Sequence, residues 1–169
     1  MNENRRYQNF VLQQGIEAPD PASCRPMAAA LLFQPRLVAP VLLVATVLQN
    51  APIFIFLAGL QWWNALVPAL NPFDACYRLL TQGKPGAVPL PIAPPPRRFA
   101  MAMAGTFAGL TGLAMLQDWR IAAYVLQAFL VIAVTAVALG GLCLGSFLYH
   151  VFRGKGGFAV RTLPWGRGV

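Results

Sequence analysis

The sequence predicts an all-α membrane protein with four transmembrane helices arranged as two hairpins. Its 169 residues are 57% hydrophobic and only 11% charged, whereas about a quarter of the residues of a soluble domain are charged. The apolar residues fall into four stretches, which polar turns and a proline-rich segment separate. These observations exclude an ordinary soluble enzyme and a disordered chain. They favour one membrane domain built from a few helices.

Residues 1–26 precede the first apolar stretch and form a polar segment. We expect this segment to lie on the membrane surface or to be loosely ordered, because it is rich in charged residues and prolines. It has no apolar core followed by a small-residue cleavage site, so we expect no cleaved signal peptide.

The first predicted crossing covers residues 27–49, and Pro35 and Pro40 interrupt it. The part after Arg36, residues 37–48, would form a helix about 18 Å long, which is shorter than a hydrocarbon core of about 30 Å. Two alternatives remain open. Either the helix begins earlier and carries a proline kink, or the first hairpin is re-entrant and returns without crossing the membrane.

The second predicted crossing covers residues 52–69 and follows a turn at Asn50. Pro52 suits the start of a helix, because the first helical residues leave their N–H groups unpaired and proline has none. The same logic predicts a short interfacial helix with Asn71 as its N-cap and Pro72 in its first turn. The apolar residues of that helix are Phe73, Cys76, Tyr77, Leu79 and Leu80.

The third and fourth predicted crossings cover residues 99–116 and 120–152. The loop before them, residues 70–98, holds six prolines between positions 85 and 96, which predicts an extended connector. The turn between the two crossings is short, so they are expected to be antiparallel neighbours. A basic, glycine-rich tail, residues 153–169, follows the fourth crossing.

The charge distribution predicts the orientation of these crossings. The chain carries 13 Lys and Arg against five Asp and Glu, and Arg120 is the one basic residue in a turn on the far side of the predicted membrane. By the positive-inside rule, both termini and the proline-rich loop are expected in the cytoplasm. The basic excess also predicts contact with anionic lipid headgroups at the cytoplasmic face. It is not interleaved with base-reading residues, so we expect no nucleic-acid partner.

Aromatic residues near the ends of the crossings are expected to anchor in the headgroup region, where one edge of the ring is apolar and the other is hydrated. These predicted interface anchors are Trp62, Trp63, Trp119 and Tyr149. For Trp63, packing between helices is an equal alternative.

Small residues recur at helical spacing in the third and fourth crossings, and such rows let helix backbones approach closely. The predicted helix-packing residues are Ala104, Gly105, Ala108, Gly109, Gly112, Gly141 and Gly145. We expect them to pack the third crossing against the fourth, with Gly105 and Gly141 at similar depth and Cys143 close by. The alternative is a docking face for another subunit.

Thiol and imidazole groups are the remaining candidates for chemistry. We expect no disulfide among Cys24, Cys76 and Cys143, because their spacing forms no redox motif and the cytoplasm is reducing. Cys143 is predicted inside the fourth helix, either as a buried apolar residue or as a thiol site. His150 is a weak candidate for axial ligation of haem or chlorophyll, but a histidine at a membrane interface needs no ligand. We therefore expect no metal or cofactor.

Ionisable residues are expected only at the membrane edges, which argues against proton-coupled carriers and ion pumps. The sequence contains no Ser-His-Asp arrangement, Walker loop or zinc-ligand spacing. It also lacks a general acid and base within the predicted crossings. We therefore do not expect an enzyme.

Three segments together resemble a known family. They are LFQPRLVAPVLLVATVLQNAPIFIFLAGLQWWNALVPALNPFDACYRLL at residues 32–80, PPPRRFAMAMAGTF at 94–107 and GLCLGSFLYH at 141–150. Over residues 32–153 the chain resembles the bacterial membrane family catalogued as domain of unknown function 4395. The resemblance implies a four-helix protein of the bacterial inner membrane.

The resemblance also bears on Cys143. Many members of that family carry Cys-Leu-Gly-Cys at the similar position, and some are encoded near thioredoxin-like or sulfurtransferase proteins, which implies a thiol or sulfur role for those members. Here the pattern ends in Ser146, which cannot complete a disulfide. The architecture and the position of Cys143 carry over, but dithiol chemistry does not.

Three functions are compatible with these observations. The favoured one is a non-enzymatic accessory or scaffold subunit that acts through helix packing, in a larger membrane complex or a homo-oligomer. The second is a thiol-dependent membrane protein of sulfur or redox metabolism that uses Cys143. The third is an oligomeric small-solute permease, which the scarcity of polar pore residues disfavours.

Overall fold

The computed structural model describes residues 3–16, 20–84 and 88–167, and the regular structure in these residues is entirely helical. The all-α prediction is therefore confirmed. The helices are α1 Glu3–Gln13, α2 Cys24–Val47, α3 Ala51–Leu66, α4 Pro72–Thr81, α5 Pro95–Leu116, α6 Arg120–Gly140, α7 Leu144–Phe152 and α8 Gly156–Arg161, and a 3-10 turn at Pro68–Leu70 joins α3 to α4.

Three of these helices, α2, α5 and α6, are long and apolar enough to cross a membrane. They have 24, 22 and 21 residues, which corresponds to about 36, 33 and 32 Å at the rise of an α-helix. α3 is also apolar, but its 16 residues extend only about 24 Å, less than a hydrocarbon core of about 30 Å. Helices of this length and composition are typical of a membrane protein.

Four helices, α2, α3, α5 and α6, form the bundle. One end of it, here called the turn end, holds the turns at residues 48–50 and 117–119. At this end Gln49 Nε2 donates to Gln127 Oε1 at 3.1 Å, which ties the first turn to α6. The opposite end, here called the terminal end, carries α1, α4, α7 and α8.

The apolar core lies between the four bundle helices. Its centre is the fully buried Phe54, and Leu42, Leu57, Ala108 and Leu130 pack around it. The outer faces of the same helices remain apolar and exposed, which is the pattern of a helix that is hydrophobic on all sides because it lies in lipid. Exposed side chains of this kind include Val47, Phe56, Leu113, Ile121 and Leu139.

Two helices differ from the sequence prediction in ways that matter for the site. α2 is one continuous helix with Pro35 and Pro40 inside it, so it begins well before residue 37. Whether the first hairpin crosses the membrane stays a prediction. The single fourth helix predicted over residues 120–152 is wrong, because α6 ends at Gly140 and α7 begins at Leu144. The chain between them turns at Gly141.

The terminal segments are folded onto the bundle. The expectation of a loosely ordered N-terminus is wrong for its described residues, because Phe10 and Val11 of α1 are buried against α2. The alternative, that this segment lies on the membrane surface, stays a prediction. In the basic tail, α8 packs on α7 and buries Ala159 and Thr162.

The local start signals of two helices are confirmed. Asn50 Oδ1 accepts from the Ile53 N–H at 3.1 Å and caps α3. Asn71 Oδ1 accepts from the N–H groups of Phe73 at 2.9 Å and Asp74 at 3.4 Å, which caps α4. In both helices a proline occupies one of the first two positions, where it costs no hydrogen bond.

Candidate functional site

The break between α6 and α7 is the centre of the candidate site. Gly141 has a φ of +67°, a left-handed conformation that ends helices and favours glycine because a Cβ would be strained there. The carbonyls at the end of α6 accept hydrogen bonds from two arginines. Arg6 donates to Gly140 O at 3.2 Å and Leu139 O at 2.7 Å, and Arg36 donates to Ala138 O at 3.4 Å. Cationic donors suit this position because the helix dipole is negative there.

Cys143 lies at this break and not inside a helix, which corrects the sequence prediction. It is the N-cap residue of α7, and its backbone N–H donates to Gln13 Oε1 at 3.1 Å. Its side chain is half-buried. The thiol therefore lies between the C-terminal end of α6 and the N-terminal end of α7, rather than on a continuous helical surface.

Ser146 and His150 attach α7 to its neighbours. Ser146 is fully buried, and its hydroxyl lies 3.3 Å from Pro96 O and 3.5 Å from Gln14 Oε1. His150 Nε2 lies 3.1 Å from Gln13 O, so that this ring nitrogen is engaged with the backbone rather than directed at open space.

The environment of His150 disfavours its charged form. Its ring is buried and packs edge-on against Phe158, with ring centroids 4.8 Å apart. Burial lowers the pKa of His150 below its usual value; the hydrogen bond to Gln13 opposes this shift, and the charge of Lys155 adds to it. The imidazole is thus held neutral in a packed setting.

A buried polar cluster lies beside the break, on the side of α2 and α3. Its charged members are Arg97 and Asp74, whose side chains are 5% and 13% exposed and form a two-point ion pair at 2.7 and 3.2 Å. Gln34 links this pair to the bundle. Its Oε1 accepts from Arg97 at 3.4 Å, and its Nε2 donates to Gln61 Oε1 at 2.8 Å.

Sequence reasoning missed this cluster, because Arg97 was expected in the loop and not within a helix. The available signal was an amide side chain in the interior of each of the first two apolar stretches, including Gln34 and Gln61. Polar residues inside apolar helices face the bundle interior and pair with one another. Arg97 is the third residue of α5 and lies at the terminal end of the bundle, so the expectation that ionisable groups lie only at membrane edges stays a prediction.

Two cavities flank the break. The first, about 100 Å³, is lined by residues of the polar cluster together with Gln14, Phe10 and Cys143. The second, about 90 Å³, is apolar and includes Phe107, Phe129 and Leu130. Four residues besides Cys143 line both cavities, namely Ala100, Ala104, Val134 and Val137.

The predicted helix-packing residues do meet other helices, but mostly not the predicted one. A Cβ added at Gly105 would lie 2.8 Å from the Trp62 ring, and one at Gly112 would lie 2.6 Å from Ile55. Both neighbours are in α3, so the expectation that Gly105 and Gly112 pack the third crossing against the fourth is wrong. The nearest groups to Gly141 belong to α1.

The remaining small residues divide between two partners. Gly145 packs on the backbone of Ala100, since a Cβ there would lie 2.6 Å from Ala100 Cα; here α7 does meet the start of α5 as the sequence suggested. Gly109 makes only an ordinary contact with Ala58. Ala108 joins the core, and Ala104 lines the cavities.

The predicted interface anchors are distributed over both ends. Trp119 is exposed at the turn end. Trp62 and Trp63 are exposed near the end of α3, where Trp63 Nε1 donates to Leu70 O at 3.2 Å. Tyr149 is half-buried against Phe99, with ring centroids 5.8 Å apart.

The thiols and acidic groups do not converge. Within the described part of the chain no disulfide forms, and no three His, Cys, Asp or Glu side chains are placed to hold a metal ion. Cys76 is exposed on α4, and Cys24 Sγ lies 3.4 Å from Asp20 O.

Comparison with known proteins identifies a family. No curated protein and no solved structure gives a significant match to the chain. The family profile described as "Domain of unknown function (DUF4395)" matches residues 28–153, which include nearly all of the bundle and the break but not α1. This confirms the resemblance derived from the sequence motifs: the chain belongs to the family of domain of unknown function 4395.

Proposed function

We propose that this chain is a non-enzymatic protein of the bacterial inner membrane that serves as an accessory or scaffold subunit of a larger assembly. The observation that carries the proposal is the folded layer at the terminal end. Asn9 Nδ2 donates to Leu163 O at 2.9 Å and to Gly166 O at 3.3 Å, so the two ends of the chain are joined into one surface. A preformed surface on a membrane anchor suits a protein that binds a partner.

The proposed topology has four crossings, α2, α3, α5 and α6, with the terminal end in the cytoplasm. α3 is short for a crossing, and a locally thinned bilayer would accommodate it. Basic residues at the terminal end are exposed to the cytoplasmic headgroups, as the positive-inside rule requires. They include Arg25, Arg78, Lys84, Arg98, Arg153 and Arg161.

The topology is tested by reporters fused after position 169 and inserted in the turn at residues 117–119. We expect a cytoplasm-dependent fluorescent reporter to be active at the first site and a periplasm-dependent enzyme reporter to be active at the second. Activity of the periplasmic reporter at the C-terminus would overturn the orientation.

The accessory function is tested by purification in a mild detergent with quantification of co-purifying proteins. Trp165 at the terminal end and Trp119 at the turn end are both 65% exposed, which makes them a matched pair. We expect a stoichiometric partner whose recovery falls in Trp165→Ser and is unchanged in Trp119→Ser. Isolation of the chain alone, at native expression level, would contradict the proposal.

The placement of Cys143 supports a second candidate, a thiol-dependent role in sulfur or redox metabolism. Its half-buried side chain lines both cavities, so a small reactant in either one would meet the thiol. Ser146 stands where a resolving cysteine would be needed, which limits the chemistry to a single thiol. Loss of the cellular phenotype in Cys143→Ser, but not in Cys76→Ser, would favour this candidate over the accessory role.

A further inference from the structure

The two cavities beside the break adjoin each other along α5 and α6, and together they are here called the α5–α6 crevice. They share Ala100 and Ala104 on α5 and Val134 and Val137 on α6. The small alanine side chains keep α5 from filling the space. From Arg97 to Phe107 the crevice follows α5 for ten residues, or about 15 Å.

Polarity changes along this crevice in one direction. At the terminal end its wall includes the polar groups of Gln14, Gln34 and Arg97. Towards the middle of the bundle the wall is apolar and includes Phe107 and Leu130. A lipid in the adjacent leaflet has the same order, with its polar part at the interface and its acyl chain towards the bilayer centre. The crevice also reaches the outer surface, because Phe129 at its rim is 36% exposed.

One polar group at the wide end lacks a partner. Gln14 is only 4% exposed, and its Nε2 has no hydrogen-bond partner although its Oε1 lies 3.5 Å from Ser146. A buried amide donor without a partner is costly, so an acceptor placed in this cavity beside Gln14 would be stabilised.

We propose that the α5–α6 crevice binds one acyl chain of a neutral acyl ester, with its carbonyl oxygen accepting from Gln14 Nε2. Arg97 is already neutralised by Asp74, so a carboxylate here would be a buried charge without a counter-ion, which is unfavourable. An uncharged carbonyl needs no counter-ion. The cavities of about 100 and 90 Å³ hold part of one chain, as cavities near 150 Å³ hold a single benzene.

This inference requires that α5 and α6 lie in a membrane, but it does not depend on the accessory function. A phospholipid of the surrounding leaflet and a free monoacylglycerol both present the required ester. The two sources are distinguished by whether the bound molecule, extracted from protein purified in detergent, carries one acyl chain or two.

The test uses the full chain in detergent and a monoacylglycerol with a photoreactive diazirine in its acyl chain. We expect saturable labelling of α5 and α6 peptides around Phe107 and Leu130. Ala104→Leu fills the crevice and should lower this labelling at least about fivefold. Ala128→Leu makes the same change on the exposed face of α6 and should leave it unchanged. Equal labelling in the two variants, or non-saturable labelling of all outer faces, would overturn the proposal.

The carbonyl assignment has its own variant, Gln14→Met. Removal of one hydrogen bond should lower labelling about three- to tenfold. The melting temperature should not fall, because Ser146 keeps Pro96 O as an acceptor and the substitution removes a buried N–H donor that has no partner. This separates a binding defect from unfolding. Unlabelled monoolein should compete better than oleate or hexadecane. Full labelling of Gln14→Met, or stronger competition by oleate, would overturn the assignment of a neutral ester.

Discussion

α5 meets its two neighbours in contrasting ways. Towards α3 it presents Gly105 and Gly112, whose missing side chains let Trp62 and Ile55 approach to contact. Towards α6 it presents Ala100 and Ala104, and there the helices enclose two cavities. Both faces consist of small residues at helical spacing. Small residues therefore allow a close approach, but whether the space closes depends on what the neighbouring helix supplies.

The difference follows from the shape of the partner. α3 is regular beside α5 and supplies large side chains that fill the glycine positions. α6 ends at Gly140, so the backbone opposite the start of α5 turns away and α7 meets it at another angle of approach, through Gly145. The closely packed face of α5 towards α3 thus suits a rigid scaffold, and the face towards α6, with its cavities, suits a binding site.

The largest effect is expected beside the face of α5 towards α6, where Arg97 and Asp74 pair. Asp74→Ala leaves the Arg97 guanidinium buried without its counter-ion and should lower the free energy of unfolding by about 3–5 kcal/mol. Thermal or chemical unfolding in detergent measures this. The double variant Asp74→Ala with Arg97→Met should recover most of the loss, because no charge is then left unpaired; an equally unstable double variant would contradict a role for the ion pair.

Two glycines on α5 test the closely packed face towards α3. In Gly105→Ala the new Cβ would lie 2.8 Å from the Trp62 ring and 3.1 Å from Ala58 O, and such overpacking costs about 1–3 kcal/mol. In Gly109→Ala the nearest atom lies 3.5 Å away, so the substitution should stabilise the helix by about 0.5–1 kcal/mol. Opposite shifts in melting temperature are expected. Equal shifts would mean that the α3–α5 contact is not close.

The break itself is tested by a neighbouring pair of glycines. Gly141 has a left-handed φ of +67°, whereas a Cβ at Gly140 would meet nothing within 4 Å. Gly141→Ala should therefore lower stability by about 1–2 kcal/mol, and Gly140→Ala should have little effect or raise it slightly. If Gly141→Ala leaves the melting temperature unchanged, the left-handed turn at Gly141 is not needed, and α6 and α7 can join into one helix without loss of stability.

The smallest expected effect is a pH dependence from His150. Burial, the largest influence, lowers the pKa of His150 in the folded protein, so the unfolded chain binds more protons once the pH falls below about 6.5. The free energy of unfolding therefore does not depend on His150 above that pH, and it decreases as the pH falls below it. Melting temperatures between pH 7.5 and 5.5 should show a decline in the wild type that is reduced in His150→Gln. An identical decline in both would assign it to another group.

Local signals in the sequence were sufficient for the helix starts. Asn50 and Asn71 each cap a helix whose proline follows within two residues, and this chemistry involves only neighbours in the chain. The apolar stretches likewise identified the bundle helices, because length and composition are what lipid requires.

The break could not be predicted in the same way. Gly140 and Gly141 are compatible with a small-residue row inside a helix and also with a helix end. The helix end is stabilised by Arg6, which is 134 residues from Gly140 in sequence. The N-terminal helix was missed because Asn9, Gln13 and Gln14 look like surface residues. They are buried since α7 and the C-terminal tail supply polar groups that no local pattern reveals.

The hydrogen bonds of α1 also fix the order in which the molecule is completed during synthesis. Asn9 bonds to a carbonyl 154 residues later in the chain, and Arg6 and Gln13 bond to the break. At about 5–20 residues per second, α1 therefore waits several seconds or more for these groups to be made and inserted. α1 leaves the ribosome before α2 to α8 but is among the last of these helices to reach its final place, and until then its apolar face is available to the membrane surface or to a chaperone.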